Sequence, residues 1–168
     1  RLTAIITNLL DMSRLEAGVL RPVLRTTSLE EVVPSAVHGT GQRAKDVVIE
    51  MPPDLAEVQA DPALLERVVA TLVTNAVHWS PVGATVRLHA HRSAATVQLH
   101  IIDHGPGIPR HQQAAVLQPF HRLDDSGSGG LGLGLAIADR LVAAMGGQLE
   151  LRDTPGGGLT VVVALPVS

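Results

Sequence analysis

Five glycines fall within eight residues at Gly127-Ser128-Gly129-Gly130-Leu131-Gly132-Leu133-Gly134, and the run leads into a helical pattern, Leu135-Ala136-Ile137-Ala138-Asp139-Arg140-Leu141-Val142. Such a run does not serve packing, because each glycine costs backbone entropy on ordering and brings no side chain. It offers bare N–H groups, free φ angles and close approach to a ligand. At the start of a helix, those N–H groups and the positive end of the dipole suit an anion, most often phosphate. A flexible loop that merely ends in a helix is the plainer reading, and the run alone does not separate the two.

The 168 residues are enough for one domain with its own core. Hydrophobic residues make up 45%, which argues against disorder. Trp79 and Phe120 are the only large aromatics, so Leu, Val, Ile and Ala must build the core. A net charge of −3 gives no general attraction to nucleic acid or acidic membranes. With no cysteine there is neither a disulfide nor a thiolate metal site or nucleophile. No apolar run approaches the roughly 20 residues that span a bilayer, and no signal peptide pattern is present. The chain opens at Arg1 inside a helical pattern, which predicts a piece of something longer.

Leu2, Ile5, Leu9 and Met12 form a narrow helical seam, with Asn8, Asp11, Arg14 and Glu16 mostly off it and Gly18 as the stop. The seam either packs on the body of the domain or pairs with helices elsewhere, and the second is expected. Val23 to Thr27 reads as a strand. Ser28 and Glu31 predict a capping box for a helix with Leu29, Val32, Val33 and Ala36 inward, which Pro34 should bend. Val47 to Met51 and the stretch near Val58 read as strands. Asp61-Pro62 is a strong helix start, and the helix it opens runs to about Trp79 with a broad apolar face and Asn75 near its end.

Thr85 to His91 and Thr96 to Asp103 alternate as an antiparallel hairpin. The rigid turn Asp103-His104-Gly105-Pro106-Gly107-Ile108-Pro109 follows, then a short helix from Gln112 to Gln118. After the glycine run, a helix to about Met145 stops at Gly146-Gly147, and strands Gln148 to Arg152 and Leu159 to Leu165 flank a Thr154-Pro155-Gly156-Gly157-Gly158 turn. The predicted architecture is α/β (α+β), a two-layer sandwich with a mixed, largely antiparallel sheet and helices on one face.

Three polar features interrupt this apolar scaffold: Asn75, Asp103 and the glycine run. A carboxylate followed by two glycines can accept from the exocyclic amine that separates adenine from guanine. An amide oxygen on a facing helix can bind a hard cation such as Mg²⁺, which bridges phosphates. With phosphate contacts from the glycine run, the three describe a site for ATP and Mg. Each also has a plainer explanation: Asn75 as an ordinary helix residue, Asp103 as the cap of its own turn, and Arg122, Asp124 and Asp125 as a solvated charge cluster.

Taken in order, the helix from Leu65 through Asn75-Ala76-Val77, the loop from Asp103 to Ile108, Pro119-Phe120-His121-Arg122 and Gly130-Leu131-Gly132-Leu133-Gly134-Leu135 resemble the N, G1, F and G2 boxes of sensor histidine kinases. Leu9-Leu10-Asp11-Met12-Ser13-Arg14-Leu15-Glu16 likewise resembles the end of that family's second dimerisation helix, and the run is most similar to the KdpD-type potassium-responsive kinases. The resemblance implies a Bergerat-type sandwich for residues 21–168, preceded over residues 1–20 by the end of a dimerisation helix. By position it implies Asp103 on the adenine amine and Asn75 on Mg²⁺. Gly105, Gly107 and Ile108 would border the base, with Trp79 stacking on it. Gly130, Leu131, Gly132, Leu133 and Gly134 would wrap the phosphates. Residues 121–130 would form a lid anchored at Phe120, with Arg122 and His78 toward the phosphates.

The resemblance also implies phosphoryl transfer from ATP to a histidine, relay to a response regulator, a homodimer in the whole protein, and a cytoplasmic place in a membrane-bound sensor. It implies neither nucleic-acid binding nor membrane contact by this part. None of the eight histidines stands in the family's acceptor context, so the acceptor is expected upstream of Arg1. Thr71 stands where this family often has asparagine and related hydrolysing ATPases have glutamate, His78 replaces a lysine or arginine, and Trp79 replaces a tyrosine. Threonine is a poor general base, which favours transfer over hydrolysis. A degenerate or nucleotide-sensing module and a water-activating ATPase are the alternatives. Gly127, Gly129 and Gly132 also match a dinucleotide pattern, but that pattern needs a strand directly before it, and His121 to Ser126 is no strand.

Overall fold

The computed structural model describes residues 2–42, 46–123 and 132–168. Its elements, in order, are α1 (Leu2–Glu16), β1 (Arg25–Thr27), α2 (Leu29–Gly39), β2 (Val47–Glu50), β3 (Val58–Ala60), α3 (Pro62–Trp79), β4 (Val86–Ser93), β5 (Thr96–Ile102), α4 (Arg110–Val116), α5 (Gly134–Ala144), β6 (Gln148–Asp153) and β7 (Leu159–Pro166). A five-stranded sheet runs in the order β2-β4-β5-β7-β6, antiparallel throughout except for the parallel β2–β4 pair. The predicted two-layer α/β architecture is the one observed.

Two pairings were not legible in the sequence. β1 and β3 form a separate antiparallel ribbon, and Val58 bridges from it to Val167 beyond β7. Short strands carry too little alternation to reveal their partners, and their register is set by what they pack against.

The core lies between the helices and one face of the sheet. Val86, Leu88 and Ala90 from β4 meet Val97, Leu99 and Ile101 from β5 and Val161, Val163 and Leu165 from β7, all buried. Leu65, Val68, Val69, Leu72 and Val73 from α3 cover them together with Ile137, Leu141 and Val142 from α5. No aromatic residue takes part: Trp79 is 38% exposed and Phe120 60%.

Helix starts follow the cap chemistry only in part. Asp61 caps α3 as expected, accepting through Oδ1 from the N–H groups of Ala63 (3.1 Å) and Leu64 (3.2 Å), while Oδ2 accepts from Val23 N–H (2.9 Å). The capping box of Ser28 and Glu31 does not form. Ser28 makes no side-chain cap bond, and its carbonyl takes the N–H groups of Glu31 and Val32 instead. α2 runs past Pro34 to Gly39, with Pro34 on the exposed side, where water can serve the carbonyl that loses its donor.

α1 corrects another expectation. Asp11, expected off the packing seam, is buried and paired with the Arg67 guanidinium of α3, and Met12 is buried as well. Arg140 of α5 donates to Met12 Sδ and reaches Glu16 at 3.5 Å. The last turns of α1 therefore pack on the domain, while Ile6, Leu9 and Leu10 stay exposed. Arg67→Ala strands a buried carboxylate and is expected to cost about 1–3 kcal/mol in urea unfolding. The double variant Asp11→Asn/Arg67→Ala should recover part of that loss, and a double variant no better than the single would refute the pairing argument.

Candidate nucleotide site

The candidate residues lie along the C-terminal half of α3 and on the segments that touch it. Asp103, just past β5, is 4% exposed. Its Oδ1 accepts from the N–H groups of Gly105 and Leu159, both at 2.9 Å. Among the described residues, Oδ2 takes no hydrogen bond. The carboxylate is thus pinned by one oxygen and presents the other. Its backbone is fixed too, since Asp103 N–H donates to Leu159 O at 3.0 Å.

The turn after Asp103 touches the end of α3. A Cβ on Gly105 would lie 2.6 Å from the Trp79 carbonyl oxygen, a contact that only glycine permits. Gly107 lies close to Gly158 of the β6–β7 turn. Ile108, expected beside the base, is 9% exposed and belongs to the core. Trp79 packs edge-on against the exposed His78, ring centroids 5.1 Å apart.

Asn75 is half-buried on α3, one turn after Thr71 on the same helix face. Thr71 in turn meets the first residue of α5: its Cγ2 is 3.3 Å from the position of a Cβ on Gly134. The N-terminus of α5 therefore abuts the face of α3 that carries Asn75. Leu133 precedes that helix and is buried, and Gly132 takes a φ of +70°. His121 O and Arg122 Cγ lie 2.5 and 3.0 Å from a Cβ built on Gly132, so the two ends of the loop from Phe120 to Gly132 come together. Phe120 itself holds a φ of +62°, an uncommon conformation for a residue with a side chain. Gly130 and Leu131, and most of the expected lid, lie outside the described residues.

The turn after Asp103 thus meets α3 at Trp79, and the start of α5 meets the same helix at Thr71, one turn before Asn75. The residues that sequence reasoning missed are Gly158 and Leu159, which hold Asp103 from across the sheet. The only signal for them was a glycine triplet before a strand, and nothing local says what such a triplet touches. Two open hollows of about 460 and 450 Å³ lie elsewhere along α5, one near Asp139 and Gly147 and one beside Leu15 and Leu20. Among the described residues, neither is lined by Asp103, Asn75, Gly132 or Gly134.

Comparison with known proteins accords with this geometry. Residues 60–168 match the family model "Histidine kinase-, DNA gyrase B-, and HSP90-like ATPase". The Sensor protein KdpD of Rathayibacter rathayi is 44% identical over 168 residues, covering 99% of this chain and 20% of that protein. The chain spans about a fifth of the length of the KdpD proteins it matches. Among solved structures, full-length ShkA in complex with AMPPNP superposes with a TM-score of 0.83 at 27% identity, over 99% of this chain and 36% of that one. The mycobacterial sensor histidine kinase MprB gives a TM-score of 0.74 at 29% identity, over 86% and 98%. With its fold, its ordered motifs and these relatives in agreement, the chain belongs to the histidine kinase-, DNA gyrase B- and HSP90-like ATPase family, and its relatives there are sensor histidine kinases.

Proposed function

We propose that this chain is the ATP-binding catalytic part of a two-component sensor kinase, serving transfer of the γ-phosphoryl of Mg-ATP to a histidine outside it. The observation that supports the reading is the approach of both the Asp103 turn and the N-terminus of α5 to the C-terminal half of α3, the helix that carries Asn75. The open oxygen of Asp103 suits the adenine amine, because a carboxylate only accepts. Asn75 offers one amide oxygen, which fits Mg²⁺, a cation that takes few protein ligands and otherwise keeps phosphate oxygens and waters. The N-terminal N–H groups of α5, after Gly132 and Leu133, suit the phosphates, and Arg122 beside Gly132 adds charge. Bound Mg-ATP supplies the phosphoryl group and the cation that offsets its charge. The complex of ShkA with AMPPNP supports the nucleotide reading.

Transfer is favoured over hydrolysis because Thr71, packed against Gly134, does not ionise near neutrality and cannot activate water. Positioning and charge compensation suffice for transfer to a nucleophile brought from elsewhere. In this reading residues 1–20 end a dimerisation helix, residues 21–168 form the ATP-binding domain, and two copies pair in the whole protein. The phosphoryl group then passes to a response-regulator aspartate on the cytoplasmic side of a membrane-bound sensor. Among the described residues, no helix is long and apolar enough to cross a membrane.

Calorimetric titration of Mg-ATP into the chain tests binding. Labelled ATP with a longer chain that carries the acceptor helix tests transfer, and binding without labelling would favour a nucleotide sensor. Asn75→Ala is expected to weaken Mg-ATP about tenfold while leaving Mg-free ATP nearly unchanged. Equal loss with and without Mg²⁺ would remove the cation from Asn75.

A further inference from the structure

The face of the sheet turned away from the helices carries a histidine cluster that the nucleotide site does not use. His89 and His91 lie on β4, and His100 on β5 pairs directly with His89. The His89 ring stacks on those of His100 and His91, with centroids 4.5 and 5.8 Å apart, and the His91 and His100 rings lie tilted at 5.2 Å. As alternate residues of the two strands they face away from the core. The stack buries His100 Nε2, which has no hydrogen-bond partner. Among the described residues, no three such side chains are placed to hold a metal ion.

The neighbours explain why a proton is unwelcome here. One row across the sheet reads Glu50, His89, His100, Val162, Glu150. Both acids in that row are already engaged: Glu50 takes two hydrogen bonds from Arg87, and Glu150 two from Arg152. Val162 offers no acceptor, and neither do the backbone groups, which are paired in the ladder. A proton on one ring therefore meets two arginines and the other rings, and the two acids, each held by its arginine, offset only part of that repulsion.

We propose that the stack of His89, His91 and His100 is an acid-sensitive element that holds the sheet together while its rings are neutral and loosens it when they are protonated. Two imidazolium rings at this separation repel, and the buried Nε2 of His100 has no partner to share its charge. β5, which carries His100, ends at Asp103, so loosening this strand also disturbs the carboxylate of the nucleotide site; that consequence alone rests on the proposed function. Burial, followed by the two neighbouring histidines, lowers the pKa of His100 to about 4, and burial lowers that of His89. The unfolded chain takes up these protons near pH 6.5, before the folded one does. The stability that the neutral stack confers is therefore full above about pH 6.5 and falls as the pH drops toward about 4.

The test is an NMR titration of the histidine rings together with urea unfolding of the same chain at about pH 7 and about pH 5. The expected result is that the His100 ring stays neutral down to about pH 4. The unfolding equilibrium should also shift on the order of tenfold between the two pH values, allowing for the solvent that reaches the rings. His100→Gln and His100→Val should each remove most of that shift. A His100 ring that titrates at the ordinary histidine value, or variants that keep the full pH dependence, would overturn the proposal. The titration needs no substitution, so it decides the matter even if a variant fails to fold. Neither readout involves nucleotide, so the result stands apart from the kinase reading.

Discussion

Asp103→Asn is expected to weaken ATP binding about 100-fold with little change in fold or thermal stability. The two N–H groups of Gly105 and Leu159 that hold Oδ1 demand an acceptor, and the amide oxygen of asparagine can serve them. That choice turns the NH₂ group outward, toward the position proposed for the adenine amine. A donor then faces a donor where an ionised acceptor stood. Charge-assisted hydrogen bonds contribute about 1.5–3 kcal/mol, and leaving a buried polar group unpaired costs a similar amount. Isothermal titration with Mg-ATP, alongside a melting curve, separates the two quantities. Unchanged affinity would remove Asp103 from the base site, and lost affinity with a collapsed melting temperature would make its role structural.

Gly158→Ala should be the most damaging methyl group added to any of the described glycines. Gly158 holds a φ of +121°, and a Cβ there would lie 2.1 Å from the Asp103 carbonyl oxygen and 2.9 Å from His104 Cα. Those atoms are backbone and cannot swing aside. The start of β7 must move away from the end of β5, which breaks the pair of bonds between Asp103 and Leu159. The expected loss is about 2–4 kcal/mol of stability, together with about 100-fold in ATP affinity. Gly156→Ala is the control. Its φ is +85°, but nothing lies within 4 Å of the added methyl, so it reports strain alone, about 1 kcal/mol. If both variants behave alike in urea unfolding and nucleotide titration, the close approach to Asp103 has no special part.

The two helix caps illustrate how far local chemistry reached. Asp61 before Pro62 could be read as a helix start because the acid, the proline and the N–H groups they serve all lie within four residues. Ser28 and Glu31 carried the same kind of signal, yet the side chains do not make the box. Asp11 was placed on the solvent side of its helix by periodicity, whereas Arg67, 56 residues away, draws it inside. The histidines on β4 and β5 fall on the outer face by strand alternation. Alternation says nothing about ring-to-ring stacking, which depends on the register of two strands and on what their neighbours already bind.

Composition and periodicity by themselves determined an aliphatic core and the identity and order of nearly all elements, while the resemblance of four ordered motifs marked the family. Each of those depends on residues within a few positions of one another. Only the tertiary structure decided that Leu159 and Gly158 clasp Asp103, that Gly105 lets the end of α3 close in, and that Thr71 meets Gly134. Those contacts join segments far apart in the chain, and their geometry follows from how helices and strands pack, which no short window of sequence contains.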